Sequence, residues 1–128
     1  LLQVACFKTT RWRLDDIVFR TPREGLGAFV PQERESMLLA QAWLAWRELW
    51  RTDASLVRAG HAARGEERWR LGKAIAECCG EAVTEGDLDA GYALLEGLLI
   101  AVCAPVAPLP RDDAVALLER LLSGGRTA

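Results

Sequence analysis

The sequence predicts an all-α chain, and three observations carry that expectation. Apolar residues recur at helical spacing along the long segments, most plainly Trp43, Trp46 and Trp50 at i, i+3 and i+7. Breaker-rich corners at Thr21-Pro22, Pro31, Gly86 and Pro105 to Pro110 divide the chain into helix-length pieces. No run alternates apolar and polar residues as a half-buried strand would, and no internal repeat or low-complexity stretch interrupts the pattern.

The bounds set by composition agree. With 128 residues, 51% of them hydrophobic and 27% charged, the chain is expected to form one globular domain, 1–128. A domain of this size buries roughly two-thirds of its unfolded surface, enough for a real core. The net charge is −2 and the basic residues, nearly all arginine, are scattered through every segment. Phosphate recognition needs a clustered basic face, so the chain alone is not expected to bind duplex DNA specifically. Leu1-Leu2 carries no Met and no charged leader, which suggests residues upstream and no signal peptide. Cys6, Cys78, Cys79 and Cys103 show no C-x-x-C spacing, so a reducing cytoplasm is the expected home, and with one histidine no metal or other cofactor is expected.

Taken in order, residues 1–20 read as a helix that Thr21-Pro22 breaks. Thr21 as N-cap and Pro22 as first helical residue then predict a short helix over 22–30, closed by Pro31. The aromatic helix follows over 33–51, stopped at Thr52-Asp53, where Asp53 can cap the next segment. Residues 54–85 lack proline and suit one long helix, polar in its first half and apolar at Leu71, Ala74, Ile75, Cys78 and Cys79 in its second. Gly60, Gly65, Gly72 and Gly80 each cost about 1 kcal/mol inside a helix. Close approach of a neighbouring helix, a bend, or a break near Gly60–Gly65 are the available reasons.

The last third organises the rest. Gly86 is expected to close the preceding helix and Asp87 or Asp89 to cap the next, over 89–104. That helix is apolar nearly all round from Tyr92 to Val102, with Glu96 the one ionisable group. It falls short of the about 20 apolar residues a membrane span requires, so no membrane partner is expected, and every face must be covered by protein. A final helix over 110–123 starts at Pro110 and carries a stripe of Ala114, Leu117, Leu118 and Leu121, with Leu122 alongside. The pair has more apolar surface than a small monomer can cover, and it reads as half of a subunit interface.

This order of elements resembles the C-terminal ligand-binding and dimerisation domain of TetR-type transcriptional regulators. The likeness rests on the Thr21-Pro22-Arg23-Glu24 segment running to Phe29-Val30-Pro31, on Ala42-Trp43-Leu44-Ala45-Trp46, and on Thr52-Asp53. It continues through Arg68-Trp69-Arg70, Glu85-Gly86-Asp87-Leu88-Asp89, Leu95-Glu96-Gly97-Leu98 and Leu109-Pro110. These are soft motifs of spacing and apolar character, spread over the whole chain and weakest in residues 1–20. The resemblance implies an antiparallel bundle of about six helices, a homodimer made by the last two helices as a four-helix bundle, and a small, mainly apolar effector held among the helices of 1–85. DNA would be reached only through a helix-turn-helix domain, which this chain lacks.

The residues it nominates for the effector pocket are Trp12, Trp43, Trp46, Trp50, His61 and Trp69; for the interface, Leu94, Gly97, Leu98, Ala101, Val102, Leu117, Leu118 and Leu121. Plainer readings stand beside each. A tryptophan stripe at helical spacing packs cores as readily as it lines pockets. His61 sits in a polar stretch and suits an exposed position. Glu96 is expected to find a specific partner such as an arginine or Tyr92, or else to face the pocket or the dimer axis. Cys78-Cys79 suits unpaired structural cysteine better than a thiol sensor. No catalytic residues are expected: the carboxylates fall on polar faces and caps, and no phosphate loop, metal-ligand pair or nucleophile elbow is present. A sensor domain is therefore the leading expectation and a ligand-free helical dimerisation or adaptor module its rival. A closed apolar cavity of about 300 Å³ or more between the N-terminal helices favours the sensor, and a solid core favours the adaptor.

Overall fold

A computed structural model describes residues 2–122 as five α-helices and two short 3₁₀ turns, with no strand among the described residues. The helices are α1 (Leu2–Glu24), α2 (Arg34–Thr52), α3 (Val57–Cys79), α4 (Glu85–Val102) and α5 (Arg111–Leu122), with 3₁₀ turns at Gly25–Phe29 and Ala54–Leu56. Leu1 and the expected end of the last helix at Ser123 lie outside the described residues. α1 packs on α2 and α3, α4 on α3 and α5, and the turn Gly25–Phe29 is wedged among α1, α3 and α5. Its Leu26, Ala28 and Phe29 are buried, and they join Ile17, Trp43, Leu56, Leu71, Ile75, Leu95, Leu99 and Leu118 in one core.

The expected break at Thr21-Pro22 is not there. α1 runs through Pro22 to Glu24, and Thr21, instead of capping a new helix, donates its hydroxyl to the Ile17 carbonyl at 2.6 Å. Arg20 explains the continuation. Its guanidinium bridges Asp16 (3.1 Å) and both oxygens of Glu24 (2.9 and 2.8 Å), and donates to the Val30 carbonyl at 2.9 Å. These charge-assisted bonds span the proline and offset the backbone bond it removes. The chain turns only at Gly25, whose φ of +58 suits glycine. Glu24 also accepts from Arg111 at 3.1 Å, which fastens the end of α1 to the start of α5.

Arg20 foremost, with Arg111 adding to it, holds the Glu24 carboxyl below its ordinary value of 4.5, and Arg11 does the same for Glu66. A carboxyl depressed on folding contributes stability above its unfolded pKa and loses it as pH falls through the folded one. Melting temperature is therefore expected to hold steady between neutrality and about pH 5 and to drop below about pH 4.5. Glu24→Gln should shrink that acid-side drop, which melts at a series of pH values will show.

Two further boundaries moved. α3 ends at Gly80 (φ +78) rather than at Gly86, which instead lies in the first turn of α4. The cap of α4 is Thr84, not Asp87 or Asp89: its side chain accepts from the Asp87 amide at 3.2 Å. Asp53 caps as expected, accepting from the Ser55 amide at 3.0 Å. α3 is unbroken at Gly60–Gly65, and Gly60 has the reason the sequence asked for. A Cβ there would lie 2.4 Å from the Trp50 ring, so α3 meets α2 with its backbone against an indole.

α4 is apolar on two faces for two different reasons. Leu88, Tyr92, Leu95, Leu98, Leu99 and Val102 are buried within the chain itself. On the opposite side Ala90, Ala93, Gly97 and Ile100 are exposed, with Leu94 and Ala101 half-buried beside them. A Cβ on Gly97 would meet nothing within 4 Å. Leu98, Val102 and Leu118 are thus core residues of one subunit, a correction to their expected place in the interface. Leu94, Ala101 and Leu117 are half-buried, while Gly97 and Leu121 face outward. The inward stripe of α5 is Ala114, Leu118 and Leu122, spaced i, i+4 and i+8.

Candidate functional site

A cleft of about 480 Å³ opens where α2, the first half of α3 and α4 meet. Leu44, Arg47, Glu48, Trp50 and Arg51 come from α2, Val57, Gly60, His61 and Arg64 from α3, and Ile100 from α4. Its geometry follows from the contact at Gly60: because α3 has no side chain there, the indole of Trp50 lies under the helix. The Trp50 ring N–H donates to the Cys6 sulfur at 3.3 Å, and the ring meets Trp43 edge-on with centroids 5.3 Å apart. These two contacts hold the indole in one orientation.

Charge gathers on the α4 side of the cleft. Glu96 forms ion pairs with both Arg47 and Arg64, the latter at 3.4 Å. The Arg64 guanidinium also lies over the Tyr92 ring, 5.5 Å from its centroid. Behind it, and out of water, the Tyr92 hydroxyl donates to Glu67 at 2.5 Å. Glu67 is ion-paired with Arg13, whose guanidinium sits 5.0 Å from the centroid of the Trp43 ring. Burial, reinforced by the Glu67 charge, pushes the Tyr92 phenol well above its ordinary value, so it stays a hydrogen-bond donor. Burial lowers the Arg47 pKa, and the positive charges of Arg64 and Arg13 act in the same direction. A second recess of about 400 Å³ adjoins the cleft, lined by Arg64, Arg68, Asp89, Tyr92 and Glu96.

The six nominated pocket residues are not brought together. Trp50 and His61 line the cleft, His61 at its exposed rim. Trp43 is completely buried beneath, and Trp46 is half-buried against the core. Trp12 and Trp69 are 58% and 53% exposed on other surfaces, which corrects their place in a pocket. Trp69 is flanked by Arg70 and Lys73, which lie over its ring at 5.0 and 4.8 Å. Glu96 found the arginine partners its lone position required. All four cysteines are free thiols, Cys78 exposed and Cys79 half-buried.

The sequence reading overlooked Arg13, Arg47, Arg64 and Glu67. A signal existed for Glu67, which continues the buried stripe Gly60, Ala63, Leu71, Ala74 of α3 at helical spacing. A charge on a buried stripe requires a counter-charge, and Arg13, on the stripe of Cys6, Thr10 and Ile17, is that partner.

Among the described residues no cluster of His, Cys, Asp or Glu is placed to hold a metal ion, and no helix is long and apolar enough to cross a membrane. Comparison with family models, with curated proteins and with solved structures finds no match. The cleft offers the small exposed part of Trp50, apolar patches at Leu44, Val57 and Ile100, and the ionic groups of Arg47, Glu48, Arg51 and Arg64.

Proposed function

We propose that the chain is the effector-sensing and dimerisation domain of a TetR-type transcriptional regulator acting in the cytoplasm. In this reading it binds a small, mainly apolar molecule, has no catalytic role, and reaches DNA through a helix-turn-helix domain outside this sequence. The effector releases a repressor from its operator by a population shift, so it acts only as far as it prefers the released state.

The cleft carries the proposal. At about 480 Å³ it exceeds the about 300 Å³ at which a small-molecule site begins. It differs from the closed apolar cavity expected of a sensor: it is an open cleft, and its walls mix Trp50, Val57 and Ile100 with Arg47, Glu48, Arg51 and Arg64. Two other features support the reading: the helical order, and the uncharged outer face of α4 (Ala90, Ala93, Gly97), which suits a second copy of the chain. In a two-fold dimer such a face meets its own copy. The alternative, a helical dimerisation or adaptor module without a ligand, is favoured by the filled core beneath the cleft, where Trp43 and Trp50 stack edge to face.

A ligand that binds only the folded chain raises its melting temperature, by about 2.7 kcal/mol of stabilisation at 100 times its Kd. Bicyclic aromatic compounds are expected to quench tryptophan emission and raise that temperature together. Trp50→Phe should remove most of the quench while leaving the chain folded, whereas Trp46→Phe should not. Compounds that shift neither signal would favour the adaptor.

A further inference from the structure

We propose that the outer face of α1 is a second self-association surface, on which another copy of the chain packs antiparallel with Lys8 against the partner's Asp15. No residue of α1 lines the cleft, and the surface is also distinct from the outer face of α4, so it does not depend on the sensing role.

Helical spacing is the first reason. Val4, Lys8, Trp12, Asp15 and Phe19 follow one another at steps of four, four, three and four, which keeps them on one side of α1. All are exposed, while Cys6, Thr10, Arg13, Ile17 and Arg20 on the opposite side are buried. Phe7 and Val18, also exposed, run along one edge of the stripe. The stripe reads alike in both directions: apolar, charged, aromatic, charged, apolar. Laid end to end against a copy of itself, with the two-fold axis beside Trp12, it sets Val4 against the partner's Phe19 and Lys8 against the partner's Asp15. Each contact then occurs twice, as an isologous interface requires.

Charge is the second reason, because Lys8 and Asp15 are opposite in sign and trade places in that arrangement. Lys8 has no ion-pair partner among the described residues. Asp15 takes one nitrogen of Arg11 at 3.1 Å, while the other two bind both oxygens of Glu66. At the borders, Asp16 pairs with Arg20, and Arg23 lies over the Phe19 ring, 5.5 Å from its centroid. A carboxylate in the middle of the stripe opposes nucleic acid and anionic membranes, which favour clustered basic residues. Area is the third reason. Val4, Phe7, Trp12 and Phe19 are each more than half exposed. Aromatic side chains bury roughly 150–250 Å² apiece, so the face offers on the order of 500 Å² of apolar surface per copy. About 1,000 Å² over two copies falls short of the about 1,200 Å² at which standard interfaces begin, and it fits a weak one. At micromolar concentration such a contact leaves the mass set by α4 unchanged.

The test is sedimentation equilibrium of the Gly97→Arg chain, whose α4 face is blocked, at concentrations up to about 500 µM. It is expected to pass from monomer to dimer with a Kd on the order of 100 µM. Adding Lys8→Glu sets like charges opposite each other twice and should weaken association about tenfold or more. Adding Asp15→Lys as well restores opposite signs and should recover most of the loss, which damage to the fold could not do. A Gly97→Arg chain that stays monomeric throughout would overturn the proposal and leave the face to a different partner. Equal association with and without Lys8→Glu, or a double reversal no better than the single one, would overturn it too. None of these results touches the cleft, whose own test is ligand binding.

Discussion

Glu67→Gln is expected to destabilise the chain by about 3–5 kcal/mol, the cost of stranding a buried charge. Arg13 and Glu67 are both buried, and the Tyr92 hydroxyl completes the carboxylate's hydrogen bonding. The glutamine keeps the shape and still accepts from Tyr92, so the loss isolates the unpaired guanidinium of Arg13. For a domain of this length the melting temperature should fall by on the order of 10 °C. Tyr92→Phe removes a donor to a buried carboxylate and should cost about 1.5–3 kcal/mol. The joint replacement Arg13→Met, Glu67→Leu, Tyr92→Phe should recover most of the lost stability, because packed apolar groups avoid the desolvation of the pair. Thermal melts of the three variants decide the matter. A Glu67→Gln chain that melts with the unmodified one would mean that water reaches the pair.

Leu98→Glu is expected to unfold the chain rather than divide a dimer. Leu98 is 7% exposed and packs with Leu95, Leu99 and Val102 on the inner face of α4. Its surroundings are the apolar core, so the new charge would be buried among hydrophobic side chains. Such a substitution costs several kcal/mol, a large part of the about 5–15 kcal/mol that holds a domain together. Its neighbour Gly97 points the other way, into open space, so arginine there leaves the core intact. Far-ultraviolet circular dichroism should show helix lost in Leu98→Glu and kept in Gly97→Arg.

What the sequence revealed, and what it hid, follows from how far each signal reaches. The helices of 33–51 and 110 onward were legible because periodicity and local caps act over a few residues. Pro22 misled because the Arg20–Glu24 bracket that overrides it depends on side-chain geometry and on the turn Gly25–Phe29 folding back. Gly80 and Gly86 are equivalent as letters, and only Thr84 with Asp87, an N-terminal cap pattern present in the sequence, separates a helix end from a helix start. The tryptophan stripe of α2 was legible as a stripe. Its division into core at Trp43 and cleft wall at Trp50 depends on where Gly60 of α3 crosses it, which composition does not encode. Trp12 and Trp69 were nominated by resemblance alone, and both proved to be surface residues. The two apolar sides of α4 were read as one property, so Leu98, Val102 and Leu118 were assigned to an interface when they fill the subunit's own core.

A regulator of the proposed kind pairs its ligand cleft with a dimer formed on the outer face of α4, and sedimentation equilibrium reads that dimer out. The outer residues Ala90, Ala93 and Gly97 carry no charge, and a stable interface covering them should bury over about 1,200 Å² in total. The unmodified chain is expected to sediment at twice the chain mass at micromolar concentration. Gly97→Arg, which places a charge at the centre of that face without touching the core, should sediment as a folded monomer. A wild-type chain that remains monomeric at that concentration, or a Gly97→Arg chain that remains dimeric, would rule out the outer face of α4 as the subunit interface.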